Sequence, residues 1–319
     1  MGNILRLLGR RLVALPFMIL GITLLVFIVL HFSPGDQATA ALGEGASSDA
    51  KEAYRAAHGL NDPLVVQYLS FLGRLVRLDF GVTTPPESPI STMIAGAFPV
   101  TLQLTFWGVV IAAIVSLVLG VVAALWRDRW PDQVIRVFSI AAVATPSFWL
   151  GILLIQWFAV GWRILPSGGY TSIFDDPGKY ATSMLMPSVA LAIPVCASLI
   201  RVVRTSMVEE LDRDYVRTAI GNGVPRGEVL RKNVLRNALV TPVTVLGLRI
   251  GYLLGGAVVI EMIFSMPGMG QLILNGITNQ DINLVQGVVV TIAVTFVAVN
   301  IIVDLLYLLI NPRIRTVWP

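Results

Sequence analysis

Six stretches of about twenty or more residues carry almost no charge, and they confine this chain to a lipid environment. Segments 12–35, 88–126, 137–162, 180–200 and 282–303 contain no Asp, Glu, Lys or Arg, and 237–260 contains only Arg249. A helix rises about 1.5 Å per residue, so about 20 residues cross the roughly 30 Å of hydrocarbon in a bilayer. Backbone polar groups in lipid must bond within their own segment or in a closed barrel. The apolar/polar alternation of a barrel is absent here. The expected fold class is therefore an all-α integral membrane protein with six transmembrane helices, over 12–32, 99–126, 137–161, 183–205, 239–264 and 286–310.

Composition agrees. Of 319 residues, 13% are charged, against roughly 25% in a soluble domain, which is too little to build a hydrated shell. Cys196 is the single cysteine, so no internal disulfide framework can form.

Orientation follows from the distribution of Lys and Arg between alternate loops. With the N-terminus inside, sixteen basic residues fall on inner segments. They are Arg6, Arg10 and Arg11, then Arg127, Arg129 and Arg136, then eight between Arg201 and Arg236, and finally Arg313 and Arg315. Only six, Lys51, Arg55, Arg74, Arg77, Arg163 and Lys179, fall outside. Both termini are thus expected in the cytoplasm. The basic start, apolar run and Ala38-Thr39-Ala40 resemble a cleavable secretory signal, but an apolar run of about 20 residues exceeds the usual signal core of roughly 7–15. It reads as a retained first helix.

The expected organisation is a cytoplasmic N-terminus with the first helix (1–32), an extracytoplasmic segment (33–98), a five-helix core (99–310) containing an inner loop (206–237), and a tail (311–319). Loops longer than about 12–15 residues need a reason. In the outer segment, Asp62 and Pro63 fit the N-cap and first residue of a helix, and Leu64, Tyr68, Leu69, Leu72, Leu75 and Val76 follow at helical spacing. That segment reads equally as an ordered cap or as a landing surface. In the inner loop, Tyr215, Val216, Ala219 and Ile220 share one side of a short helix, with a left-handed stop at Asn222-Gly223. Pro225 then starts a second helix ending near Arg236. This hairpin either lies on lipid headgroups or docks a cytoplasmic partner protein.

Chemistry-bearing motifs are missing. The sequence has two histidines, His31 and His58, and no HExxH, paired CxxC, GxSxG or GxxxxGK. No catalytic, metal or cofactor residues are expected, nucleic-acid binding is not indicated, and the substrate-binding residues cannot be named from sequence. Ionisable groups within spans mark functional candidates by default: Arg249, Glu261 and Asp304. Arg249 and Asp304 lie at matching depths, about 16 and 12 Å from the inner ends of their helices, and an intramembrane pair between them is expected. Glu261 reads as close to the outer surface. Gly247, Gly251 and Gly255 give the fifth helix a small-residue stripe suited to close packing. Pro16, Pro146, Pro194 and Pro242 are expected to kink their helices.

At the inner hairpin the chain resembles a known family. Asp214-Tyr215-Val216-Arg217-Thr218-Ala219, Gly223 and Leu235-Arg236-Asn237-Ala238-Leu239 are similar to the EAA loop of bacterial ABC importer permeases. That pattern runs Glu-Ala-Ala, three residues, Gly, nine residues, Ile, one residue, Leu-Pro. Ala219, Gly223 and Leu235 match it, whereas Arg217, Asn233 and Arg236 replace its Glu, Ile and Pro. The peptide-permease branch carries such a variant, although it often has His where Asn233 stands. Further motifs follow in the family's order: Pro34-Gly35-Asp36, Leu78-Asp79-Phe80-Gly81, Pro99-Val100-Thr101-Leu102, Thr145-Pro146-Ser147-Phe148-Trp149, Leu165-Pro166-Ser167-Gly168-Gly169, Glu261-Met262-Ile263-Phe264, Pro267-Gly268-Met269-Gly270 and Asp304-Leu305-Leu306-Tyr307 through Asn311-Pro312-Arg313.

The resemblance is to the first permease subunit of a dipeptide/oligopeptide importer, multi-pass in the bacterial inner membrane. It implies an ABC type I importer-like fold and a non-catalytic role as half of a translocation path. The implied partners are a second permease, two cytoplasmic ATPases carrying ATP and Mg, an extracytoplasmic binding protein and membrane lipid. It also implies that Tyr215, Val216, Arg217, Thr218, Ala219, Ile220, Gly223 and Leu235 form the ATPase-coupling loop. The alternative is an ion-coupled secondary transporter, which would place ionisable residues near the midplane and repeat interrupted helices.

Overall fold

The computed structural model describes residues 2–32, 36–84 and 87–310, with side chains described between 16 and 303. Fourteen α-helices appear among them. α1 (Gly2–His31) is followed by three short helices, α2 (Gln37–Leu42), α3 (Ser48–Ala57) and α4 (Leu64–Val76). α5 (Ile90–Leu125) and α6 (Trp130–Ala144) come next, then α7 (Ser147–Leu154), which continues as a π-helical stretch over Ile155–Gly161. α8 (Pro177–Leu211) leads to α9 (Asp214–Gly221). α10 (Arg226–Val229) and α11 (Leu235–Ala238) flank a π-helical stretch, Leu230–Val234. α12 (Val240–Ile263), α13 (Met269–Thr278) and α14 (Ile282–Ile310) complete the chain.

α5, α8, α12 and the part of α14 over Ile282–Val303 are long and apolar enough to cross a membrane, and α6 with α7 supplies a fifth span if the pair is taken as one. α8 is the central element, with two thirds of its most apolar window buried. It packs most extensively on α5. Gly120 permits that approach, because a Cβ there would stand 2.6 Å from Val203 Cβ. Around α8, Leu104 of α5 and Leu253, Ala257 and Ile260 of α12 close the main core with Leu191, Val195 and Leu199. Exposed apolar side chains on α1 and α6, such as Phe17, Leu25, Val137 and Phe138, face outward, as lipid-facing helices require.

Three expectations need correction. Residues 137–161 do not form one helix: α6 and α7 meet at 105°. Pro146 forces its predecessor away from helical geometry, and both Thr145 (ψ 124°) and Pro146 (ψ 139°) are extended. Thr145 Oγ1 donates to Ala141 O at 2.8 Å, occupying a carbonyl that the break would otherwise release. By contrast, α8 runs continuously through Pro187 and Pro194. Second, the cap of α4 is Pro63 without a side-chain bond, one residue later than expected. Third, the helix expected over 99–126 begins at Ile90. Glu261, two residues before the end of α12, is fully buried.

Beside α1 and the start of α14, α2 to α4 form an ordered cap. Tyr68 Oη donates to Leu20 O of α1 at 3.0 Å, and the Thr84 amide donates to Asp281 Oδ2 at 2.8 Å. Asp36 caps α2 by accepting from the Thr39 amide and receives Arg55 Nη2 of α3 at 2.8 Å. The bonded Arg55 guanidinium holds the Asp36 carboxyl down at about 2, against the opposing effect of partial burial.

Candidate functional site

The hairpin after α8 stands at the end of the molecule richest in arginine. α9 begins three residues after α8 ends, and its last turn closes in a Schellman arrangement. The Val224 amide donates to Ala219 O at 3.1 Å and the Gly223 amide to Ile220 O at 3.0 Å. This geometry requires a left-handed residue after the helix, and Gly223 adopts φ +83°. The chain then re-enters a helical path at Pro225, so that α10, the π-helical stretch and α11 form one arm leading into α12. The turn and the returning arm match the expected hairpin.

Its core is a small apolar cluster. Val216, Val229, Val234 and Ala238 are buried with Ala124 of α5 and Val203 and Met207 of α8. Ala219, Val224 and Leu235 pack against them. The expected stripe therefore divides. Val216 and Ala219 point inward and hold the helix to the bundle, whereas Tyr215 and Ile220 flank it with 37% and 38% exposure. Arg217 and Thr218 are exposed on the outer side. Tyr215 is fixed in place, with its Oη donating to Glu210 Oε2 at 2.7 Å and receiving Asn237 Nδ2 at 3.4 Å. α9 thus offers a shallow surface of Tyr215, Arg217, Thr218 and Ile220 on a rigid base.

Sequence reasoning missed the clasp above this base. Asp132, at the start of α6, has a fully buried side chain that accepts two bonds from Arg204 of α8, Nε to Oδ1 and Nη2 to Oδ2, both 2.6 Å. The Asp128 amide adds a third bond at 2.9 Å. Arg204 lies one residue beyond Val203, so the clasp fixes the segment of α8 that carries the hairpin's core. The Asp128, Asp132 and Arg136 spacing was the only local hint.

The remaining candidates are placed as follows. Arg249 is exposed on α12 in a groove against α8. Asp304's side chain lies outside the described residues, as does the tail from 311. Gly247 and Gly251 meet Val303 and Phe296 of α14, which gives the small-residue stripe its packing role, while Gly255 meets nothing within 4 Å. Glu261 Oε2 accepts the Gly270 amide and fixes the loop between α12 and α13. No group of three or more His, Cys, Asp or Glu suited to a metal occurs among the described residues.

Two family patterns cover almost the whole chain. Residues 116–316 match the binding-protein-dependent transport system inner membrane component, and residues 4–105 match the N-terminal region of such membrane components. The chain belongs to this family. It is 39% identical over 95% of its length, and 96% of the relative's, to a Brucella abortus (strain 2308) protein that carries the name of a peptide transport system permease. It is 36% identical, over 96% and 97%, to the glutathione transport system permease protein GsiC of Escherichia coli (strain K12). Among solved structures, the MetNI methionine ABC transporter in inward-facing form aligns with 69% of this chain and 96% of its own, at TM-score 0.53 and 16% identity. That likeness shows the importer permease fold. The chain is a non-catalytic, multi-pass inner-membrane permease of a binding-protein-dependent ABC system. Membership in such a system sets aside the ion-coupled alternative.

Proposed function

We propose that this permease forms half of a translocation path for di- or oligopeptides or a related small peptide such as glutathione. The chain-long similarity to relatives with those names supports the substrate class. A second, related permease would supply the other half, with two ATPases beneath and a binding protein on the outer cap of α2 to α4. α1 serves as the sixth span, and both termini lie in the cytoplasm, as the Arg-rich segments favour.

The observation that carries the coupling role is α9 itself. It is a short helix with a defined Schellman stop, held by Val216 and Ala219, and it presents Tyr215, Arg217, Thr218 and Ile220 away from the bundle. Such a surface suits a cleft on an ATPase subunit. When ATP draws the ATPases together, α9 moves with them, and the clasped end of α8 carries that displacement into the helices. Inward- and outward-facing states are then populations shifted by ATP and by loaded binding protein.

The test is purification of the complex from membranes, followed by ATP-dependent uptake in proteoliposomes. Co-elution with a second permease and ATPases, with uptake of labelled peptide only when binding protein and ATP are present, is expected. Uptake that survives ATP depletion and collapses with the proton gradient would overturn the proposal.

A further inference from the structure

A groove of about 440 Å³ runs between α8 and α12, and beside Val202 and Val245 it carries charged and hydroxyl side chains that a lipid-facing surface lacks. Arg201, Thr205 and Glu209 of α8 and Thr241 and Arg249 of α12 line it, with Ser198 at its deep end. α8 descends to Leu211 and α12 rises from Val240, so Arg201 and Arg249 both stand about 15 Å from the basic ends of their helices. Both side chains are exposed, and neither makes an ion pair among the described residues. Gly247 and Gly251 face α14. Arg249, two residues from each, turns about 200° away from that side and into the groove.

Two guanidinium groups at this depth are costly against hydrocarbon, and such groups line aqueous paths or face partners. Arginine presents a planar fork suited to two carboxylate oxygens. The hydroxyls of Thr205 and Thr241 add neutral donors, whereas the Ser198 hydroxyl donates to Val195 O at 2.9 Å and is left to accept. Glu209, two turns from Arg201 toward the basic end, is the acidic group of the lining, and it suits an ammonium. The groove therefore has anion recognition at its deep end and cation recognition nearer its mouth.

We propose that Arg201 and Arg249 form a carboxylate station within the translocation path, which receives the C-terminal carboxylate of a peptide in transit. This deepens the peptide reading and rests on it. The station gives a zwitterionic solute a transient partner once it has left the binding protein, and so replaces part of its lost hydration.

The test uses the whole reconstituted complex. Uptake of labelled alanyl-alanine and of labelled glutathione is measured at saturating binding protein, alongside ATPase stimulation. Equilibrium binding of alanyl-alanine, glutathione and their C-terminal amides is measured on the ATP-free complex without binding protein. Expected for Arg201→Gln and Arg249→Gln is a ten- to hundredfold loss of acid binding, in line with losing a charged hydrogen bond, with amide binding and ATPase stimulation retained. Arg249→Lys keeps the charge without the fork and should lose less. If neither peptide is imported by the parent complex, the peptide reading fails. If one is imported but the parent binds its acid and amide equally, or the Gln variants bind acid like the parent, the station alone is refuted. Dissociation of the two permeases in both the Gln and Lys variants would also refute it, because the arginines would then be interface struts.

Discussion

Arg204 grips Asp132 with both ends of its guanidinium fork, Nε and Nη2 each standing 2.6 Å from a different carboxylate oxygen. The pair joins α6 to α8 at the level where the hairpin core begins, and Asp132 is wholly enclosed. Burying such a pair gains little over an apolar isostere, but removing one member strands the other charge. Its value is therefore geometric: it fixes the rotation of α8 relative to α6.

Removing one member should consequently be severe. Asp132→Ala is expected to destabilise the subunit by about 3–5 kcal/mol. Arg204→Lys retains charge but loses the fork and should be intermediate. Thermal unfolding of the purified complex, followed by size-exclusion chromatography, measures both. Equal stability of parent and Asp132→Ala would contradict the role given to the clasp.

Gly223 stands at φ +83° with nothing near its missing Cβ, so substitution there is a backbone question and not a matter of space. Gly223→Val should cost about 1–2 kcal/mol locally and misplace the arm after α9. Gly223→Asn, tolerant of the left-handed region, should cost less. The expected outcome is an inserted subunit with weakened ATPase stimulation by loaded binding protein. Full stimulation in the Val variant would sink the assignment.

The long apolar stretches showed four of the six expected spans, and a fifth where α6 and α7 count as one, because bilayer thickness imposes a length that needs no tertiary information. Gly223 and Pro225 were equally legible, being local requirements of backbone conformation. Pro146 was legible only as a kink. The 105° break arises because Thr145 and Pro146 are extended together, which one proline does not announce. Asp132 and Arg204 are separated by 72 residues, and in sequence each is simply another charge on the basic side. The division of α9 into an inner and an outer face depended on where α5 and α8 end, which the periodicity of eight residues cannot supply.

The cap of α2 to α4 should respond to acid through Asp36. Its carboxyl is held at about 2 by Arg55, below the usual value of about 3.9. A depressed carboxylate contributes stability in full above the unfolded value, and that contribution is lost as pH falls through the folded value. The window is therefore roughly pH 4 down to 2. The side chain is 35% exposed, so solvent screens the pair and the effect should be modest, about 1 kcal/mol or less. Hydrogen exchange across 36–60 at pH 5 and at pH 2.5 should show protection falling in the parent. In Asp36→Asn the fall across the same interval should be smaller, and an identical fall would assign the acid response to another group.

The two faces of α9 should separate stability from coupling. Val216 is 4% exposed within the hairpin core, so Val216→Asp buries an unpaired charge and should disorder the hairpin, lowering complex stability and coupling together. Arg217 has a side chain 75% exposed and only a 3.9 Å contact with Asp214, so Arg217→Glu removes nothing the fold depends on. It should leave thermal stability within about 0.5 kcal/mol of the parent while reversing charge on the surface proposed to meet an ATPase. The expected result is normal membrane insertion and unfolding temperature, with reduced ATPase co-purification and a salt dependence altered from the parent. Unchanged co-purification across a salt series would show that the outer face of α9 does not meet the ATPase through Arg217.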